Sequence, residues 1–408
     1  MKAQAEGRSN KMKKLSFKEL LLVGVTLFSM FFGAGNLIFP PFVGYQAGAE
    51  GLAAFGGLLL TAVCFPVLGV VAVAKVGGTD QLCAKIHPKF SLVFTILVFL
   101  CIGPMLAIPR TASTSYSMFG FLTGGLEGKV WVGIPAELWV RVLFSLAFFA
   151  GAYRLAQHPG RFKDVMGKWL TPLLLVLIGV MFVAGLVLLK EPAAPALPSY
   201  EGRAALQGFE DGYQTMDTLA AIVFGIVIAL NVKACGVEKD GDVARETMKA
   251  GLIAGILLGV VYGSLAWLGA KASALLEDAA DGTQILSGLC LDFFGPFGAL
   301  FLAVIFFVAC FNVCTGLLSS CAAFFEKAFP RFSFLWWLRA FTVVSFLVSI
   351  LGLGVILKIS VPILTLLYPV AIAVILVNLL PFGWAARPAV HRAVTVLAFC
   401  LSIWSILT

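Results

Sequence analysis

The sequence is short of charge: 12% of its 408 residues are Asp, Glu, Lys or Arg, against 60% hydrophobic, and mean hydropathy is +1.00. A soluble domain carries about 25% charged residues, so a water-soluble globular protein is excluded. Histidine is scarcer still, with three, His87, His158 and His391, all in or beside polar loops. None is left for a proton relay inside an apolar run. The nine cysteines lie mostly within apolar runs and none forms a CxxC. Cys310 and Cys314 stand one helical turn apart, but a metal site needs further ligands, so they read as core packing. No apolar run pairs a nucleophile with a base, carries a histidine metal set or contains a phosphate-binding loop, and an enzyme is therefore not expected. A cleavable leader is not expected either, because the first apolar run is long and lacks a small-residue cleavage site. No soluble domain or large linker interrupts the chain.

What is present is a succession of apolar runs, roughly 19–44, 51–74, 90–122, 138–153, 169–189, 213–232, 250–270, 286–325, 334–356, 359–380 and 390–407. These imply an all-α polytopic membrane protein of about eleven transmembrane spans, a single domain over 1–408, in which the long 90–122 and 286–325 runs bend or project from the bilayer. Alternate loops hold 22 Lys and Arg, from Lys2 through Lys75, Arg161, Lys239 and Lys327 to Arg392, and the opposite loops hold five. That asymmetry places the amino terminus in the cytoplasm, and makes the +8 net charge a topology signal with no call for nucleic acid.

The stretch Leu27 to Gly48, LFSMFFGAGNLIFPPFVGYQAG, is apolar enough to span yet interrupted at its centre. Glycine destabilises a helix and asparagine prefers a cap, so the reading is two half-helices with an unwound joint at Gly33 to Asn36 and Asn36 capping the second. Irregular backbone at membrane depth lines a cavity or is buried in protein. The free N–H groups at such a joint face an anion and the unwound carbonyls face a cation, so backbone alone can hold a zwitterion and a metal ion. A kink used only for packing is the alternative.

Other candidates follow along the chain. Arg110, which follows Pro104 and Pro109, is an ionisable residue within a span, either functional or internal glue to carbonyls or a nearby acid. Asp217, near the outer end of the sixth run, either assists cation coupling or serves as a cap. Gly251, Gly255, Gly259 and Gly263 recur at every fourth residue and make a smooth packing face. Asn312 and Thr315 in the eighth run are oxygen donors for a cation at the joint, unless the hydroxyl bonds its own helix. Tyr368, in a proline-bent tenth run, gates or packs.

FFGAGNLIFPPFVGYQAG at 31–48, GPMLAIPRTASTSY at 103–116, GYQTMDTLAAIVFGIVI at 212–228 and ISVPILTLLYP at 359–369 together resemble the bacterial branched-chain amino acid:cation symporter family, within the amino acid–polyamine–organocation superfamily. The resemblance covers nearly the whole chain. It implies a leucine-transporter-type fold: a 5+5 inverted repeat over 19–189 and 213–380 with helices 1 and 6 broken, plus an additional peripheral helix at 390–407. It further implies a transporter of the bacterial inner membrane taking up leucine, isoleucine and valine with sodium (Na+) and no other cofactor.

Carried over by position, Ala34, Gly35 and Asn36 would hold the substrate carboxylate, while Val223, Phe224 and Gly225 would supply carbonyls for the amine and part of the aliphatic wall. Sodium would sit between Gly33 or its neighbours and the eighth helix near Ala309, Asn312 and Val313; valine cannot ligate, so Asn312, or Thr315 if the helix is rotated, would have to compensate. Arg110, Asp217 and Tyr368, singled out above on their own chemistry, are the candidates for coupling or gating. Three departures stand out. Val313 occupies a position where the family commonly has a sodium-ligating threonine. Ser117 stands where a glutamate, a partner for Arg110, is usual. The twelfth span usual in the family does not follow the eleventh. The first departure keeps open a proton-coupled or exchange transporter of other neutral amino acids such as methionine, with Asp217 as proton carrier. A non-transporting sensor is a further alternative, which would predict degraded breakers at Gly33 to Asn36.

Overall fold

The computed structural model describes residues 14–120, 125, 128–157, 171–237, 239–276, 278–381, 383 and 387–407. The basic residues from Lys2 to Lys13, His158, and the cluster Arg161, Lys163 and Lys168 lie outside them, as do the ends of two of the expected spans at 121–122 and 169–170.

Helix α1, Phe17–Phe31, starts at a reciprocal cap in which Glu19 N–H donates to Ser16 Oγ and Ser16 N–H donates to Glu19 Oε2. It stops at Phe32, and α2 runs over Ala34–Ala47. α3, Gly51–Leu59, passes through a π-turn at Leu60–Cys64 into α4, Phe65–Val76, followed by the short α5, Thr79–Leu82. α6, Pro88–Leu100, likewise passes through a π-turn, Cys101–Met105, into α7, Ala107–Met118, where Gly103 and Pro104 interrupt the helical ladder. A two-stranded hairpin, β1 Val130–Trp131 and β2 Ile134–Pro135, precedes α8, Ala136–Ala156, and α9, Thr171–Leu188. The short α10, Ala204–Asp211, leads through a 3-10 turn, Gly212–Thr215, into α11, Asp217–Ala234. Then come α12, Asp240–Ala272, α13, Gly282–Ala328, α14, Phe334–Ser349, α15, Leu353–Leu379, and α16, Pro388–Leu407. The long α13 bends at Gly295, whose φ of 67° only glycine adopts readily, with Pro296 next to it.

Among the described residues each of the eleven apolar runs thus falls largely on helix, with interruptions that include the break at Phe32 and Gly33 and the turn at 350–352, and eight helices are long and apolar enough to cross a membrane. Side chains tie the loop ends into one face of the bundle: Lys75 Nζ donates to the Asn378 carbonyl at 2.9 Å, and Lys327 pairs with Asp80 at 3.8 Å.

The glycine stripe of α12 receives the span made by α3 and α4. Cβ atoms on Gly251, Gly259 and Gly263 would stand 2.9 Å from Val67, 3.7 Å from Leu59 and 3.1 Å from Phe55. On another face α12 meets α2 backbone to backbone, with Gly44 against the Ala266 carbonyl and Gly269 against the Pro41 carbonyl. Close approach of this kind replaces a hydrophobic driving force within lipid, where tails are as apolar as leucine. Gly269→Val therefore forces the two helices apart, at a cost of about 1–3 kcal/mol or more because backbone cannot yield as a side chain does. A lowered melting midpoint in detergent is the expected reading, and an unchanged midpoint would show that the contact is dispensable.

Candidate functional site

The first joint is tighter than the sequence suggests. Only Phe32 and Gly33 leave the helical conformation, and α2 already begins at Ala34. Asn36 is consequently not the residue that starts the second half-helix. It sits in the first turn and reaches back, its Oδ1 accepting the Gly33 N–H at 3.0 Å. The side chain takes up the donor that would have continued α1, and so holds the ladder open. The first-turn N–H groups of Ala34, Gly35 and Asn36 have no intrahelical acceptor and point out of the positive end of α2. The last carbonyls of α1 point out of its negative end toward the same gap.

The second joint lies at Met216, whose φ of 64° is left-handed, between the 3-10 turn and α11. This corrects the placement at Val223 to Gly225, which lie inside the continuous α11 with their carbonyls in its ladder. Of these three only Phe224 reaches the gap, where its ring meets Phe31 edge-on at 5.9 Å. A Cβ on Gly225 would stand 2.7 Å from Val73 Cβ, so that glycine serves packing.

Two sets of hydrogen bonds stitch the joints together. Asn36 Nδ2 donates to Asp217 Oδ2 at 2.7 Å and also contacts the Tyr262 hydroxyl, which itself donates to Asp217 Oδ2 at 2.9 Å. Arg110 Nη1 donates to the Gln214 carbonyl at 2.6 Å, and the Gln214 amide oxygen accepts from Ser360 at 2.6 Å. The π-turn in the second span contributes as well, because the Thr61 carbonyl accepts from Thr218 at 2.9 Å. Asn36, Arg110, Asp217, Thr218, Tyr262 and Ser360 are all buried. The expected N-terminal cap at Asp217 is not formed. Its carboxylate faces inward to Asn36 and Tyr262, because α11 starts deep in the bundle instead of at its rim.

Between the joints is a cavity of about 40 Å3 lined by Met30 to Asn36 except Phe32, by Arg110 and Thr111, by Thr215 to Asp217, and by Phe224 and Val313. That volume admits a water or a carboxylate and no aliphatic side chain, so the joints must part for a larger guest. Beside Gly33 stands Val313, with Cγ2 3.2 Å from where a glycine Cβ would be. Ala309 and Asn312 do not line the cavity, and the Thr315 hydroxyl donates to the Phe311 carbonyl of its own helix at 2.8 Å. The proposed oxygen set on α13 is thus not gathered at the joint. Tyr368 is buried and stacks on Tyr213 with centroids 4.5 Å apart, below the second joint's 3-10 turn.

Sequence reasoning missed Tyr262, Gln214, Thr215 and Ser360. The one legible signal was Tyr262, a phenolic hydroxyl within the apolar 250–263 stretch of α12. A wider cavity of about 470 Å3 is lined by Tyr116, Glu137, Arg141, Asp281 and Gln284.

Two solved structures share the architecture over nearly all of the chain. The crystal structure of MhsT in complex with L-phenylalanine superposes with a TM-score of 0.56 at 16% identity, covering 97% of this chain and 100% of the other. That of Mhp1, a nucleobase-cation-symport-1 family transporter in a closed conformation with bromovinylhydantoin bound, gives 0.59 at 14% identity, with 98% and 95% covered. Fold and broken helices together define a polytopic membrane protein of the leucine-transporter type, built as a 5+5 inverted repeat. Residues 16–408 match the model of the branched-chain amino acid transport protein family, and the chain belongs to that family of transporters. It is similar to the branched-chain amino acid permease BraB of Bacillus subtilis (strain 168), 37% identical with 93% of this chain and 84% of the relative covered. It is also similar to the branched-chain amino acid transport system 2 carrier protein of Pseudomonas aeruginosa, 38% identical with 94% and 86% covered. Permease BrnQ of Salmonella typhimurium is 36% identical, with 91% and 82% covered.

Proposed function

We propose that the protein carries leucine, isoleucine and valine into the bacterial cell across the inner membrane by alternating access, with the amino terminus cytoplasmic and sodium moving with the substrate. The observation that carries this reading is the pair of opposed half-helix ends at Phe32 and Gly33, set against the Met216 joint around a buried cavity. The N-terminus of α2 attracts the substrate carboxylate, and the carbonyl end of α1 attracts a cation. Met30, Phe31 and Phe224 supply the apolar wall. Burying a branched aliphatic side chain there contributes about 2 kcal/mol, and one methylene changes that by about 1 kcal/mol, so the three substrates compete. Cation binding at α1 favours the open arrangement and the substrate permits closure, which links the two through a single shift of population.

A second reading exchanges sodium for a proton. Val313 in place of an oxygen beside Gly33 favours it, and so does Asp217, among the described residues the one acid lining the cavity. Uptake of labelled isoleucine into proteoliposomes distinguishes them. An inward sodium gradient against an equal potassium control should drive accumulation that excess leucine blocks. Accumulation that ignores sodium and follows an inward proton gradient would replace sodium in this reading, and none under either gradient would remove the substrate assignment.

A further inference from the structure

Arg110 is 3% exposed, in the middle of the bundle, yet most of its hydrogen-bonding capacity is unassigned. Nη1 is tied to the Gln214 carbonyl, and the guanidinium lies 5.4 Å from the Phe39 ring centroid. Nε is buried without a partner, and Nη2 lies against the first joint, 2.6 Å from where a Cβ on Gly35 would stand. Among the described residues Arg110 forms no ion pair. The acid nearest by lining, Asp217, engages Oδ2 with Asn36 and Tyr262. A guanidinium cannot lose its proton to escape burial, so an unpaired one is costly unless an anion meets it. The Nε and Nη2 edge is the one that takes a carboxylate by two parallel bonds. Arg110 lines the same cavity as Ala34, Gly35 and Asn36, with Nη2 on the Gly35 side, and the first-turn N–H groups of α2 favour an anion there independently.

We infer that Arg110 binds the α-carboxylate of the transported amino acid through its Nε and Nη2 edge, with the N-terminus of α2 completing the site. The inference rests on the reading of an amino acid at this joint and sharpens its substrate class to compounds with a free carboxylate. Nη1 stays on Gln214, so carboxylate binding clamps the first joint to the second through one side chain. Phe39 holds the guanidinium plane in place for this.

The test is equilibrium competition on the purified full-length protein in detergent, displacing labelled leucine with leucine or with leucinamide, which keeps the side chain and amine and lacks the carboxylate. The native protein should prefer leucine by about 100-fold or more, the scale of two charge-assisted hydrogen bonds. In Arg110→Gln that preference should collapse to within about threefold, through loss of leucine affinity and not through gain for leucinamide. Its unliganded melting midpoint should be no lower than that of the native protein, since a desolvated charge has been removed along with one hydrogen bond. Arg110→Lys keeps the charge and loses the fork, and should weaken leucine about tenfold while leaving leucinamide unchanged. An undiminished leucine preference in either variant overturns the role of Arg110 while leaving the transport reading intact. A native protein that binds neither compound overturns that reading and this inference with it.

Discussion

Gly35→Val is expected to abolish the proposed leucine uptake. A Cβ there would stand 2.6 Å from Arg110 Nη2 and 3.1 Å from the Thr215 carbonyl, so the branched side chain collides with the guanidinium and with the backbone of the second joint at once. The guanidinium can retreat only by releasing the Gln214 carbonyl, and the Thr215 backbone is pinned by the turn that Met216 closes. Overpacking of this kind costs about 1–3 kcal/mol, which a bundle held by glycine contacts elsewhere survives. The cavity does not survive it. Proteoliposomes with Gly35→Val should show background accumulation although the protein elutes as the native one does, and Gly35→Ala should fall between. Native rates in the folded valine variant would place the substrate somewhere other than between the joints.

Asp217→Ala should be the most damaging change of a single polar group. It strips the acceptor from Asn36 Nδ2 and from the Tyr262 hydroxyl, both buried, and frees Asn36 to release the Gly33 N–H. Interhelical hydrogen bonds within membranes contribute about 0.6 kcal/mol each and up to about 1.7 kcal/mol, and a carboxylate lies at the upper end, so a loss of about 2–3 kcal/mol is expected together with loss of transport. Tyr262→Phe removes one of the orphaned donors, and the double variant should therefore cost less than the sum of the singles by about 1 kcal/mol in melting experiments. Strict additivity would mean that the two side chains do not share a network. Asp217→Asn keeps an acceptor and removes the charge. It should retain sodium-driven uptake, whereas loss of gradient-driven accumulation with exchange preserved would shift coupling to a proton on Asp217.

The two variants probe features of different legibility. The membrane class, the succession of spans and the break in the first span were readable from sequence because each is local: apolar length sets a span, and Gly33, Gly35 and Asn36 weaken one ladder whatever surrounds them. The length of the 286–325 run left open whether it bends or projects from the bilayer, and Gly295 supplies the bend. The family resemblance added the order of elements that composition could not supply.

Tertiary structure decided the rest. The position of the second break was misplaced because a glycine within an apolar run, Gly225, is as easily a packing contact as an unwound turn, and only the arrival of Val73 against it tells which. The actual break uses Met216, a residue with no intrinsic preference for a left-handed conformation, held there by the bonds that Arg110 and Ser360 make to Gln214 on one side and by Asp217 on the other. Asp217, Asn36 and Tyr262 lie on three helices far apart in the chain, so no local pattern marks their meeting. Which charges find partners is a property of packed helices: the exposed Lys75 caps the end of α15, while the buried Arg110 is left with an open edge at the joint. Local propensity determined where this chain could break, and the contacts among its helices decided which breaks were used and what faces them.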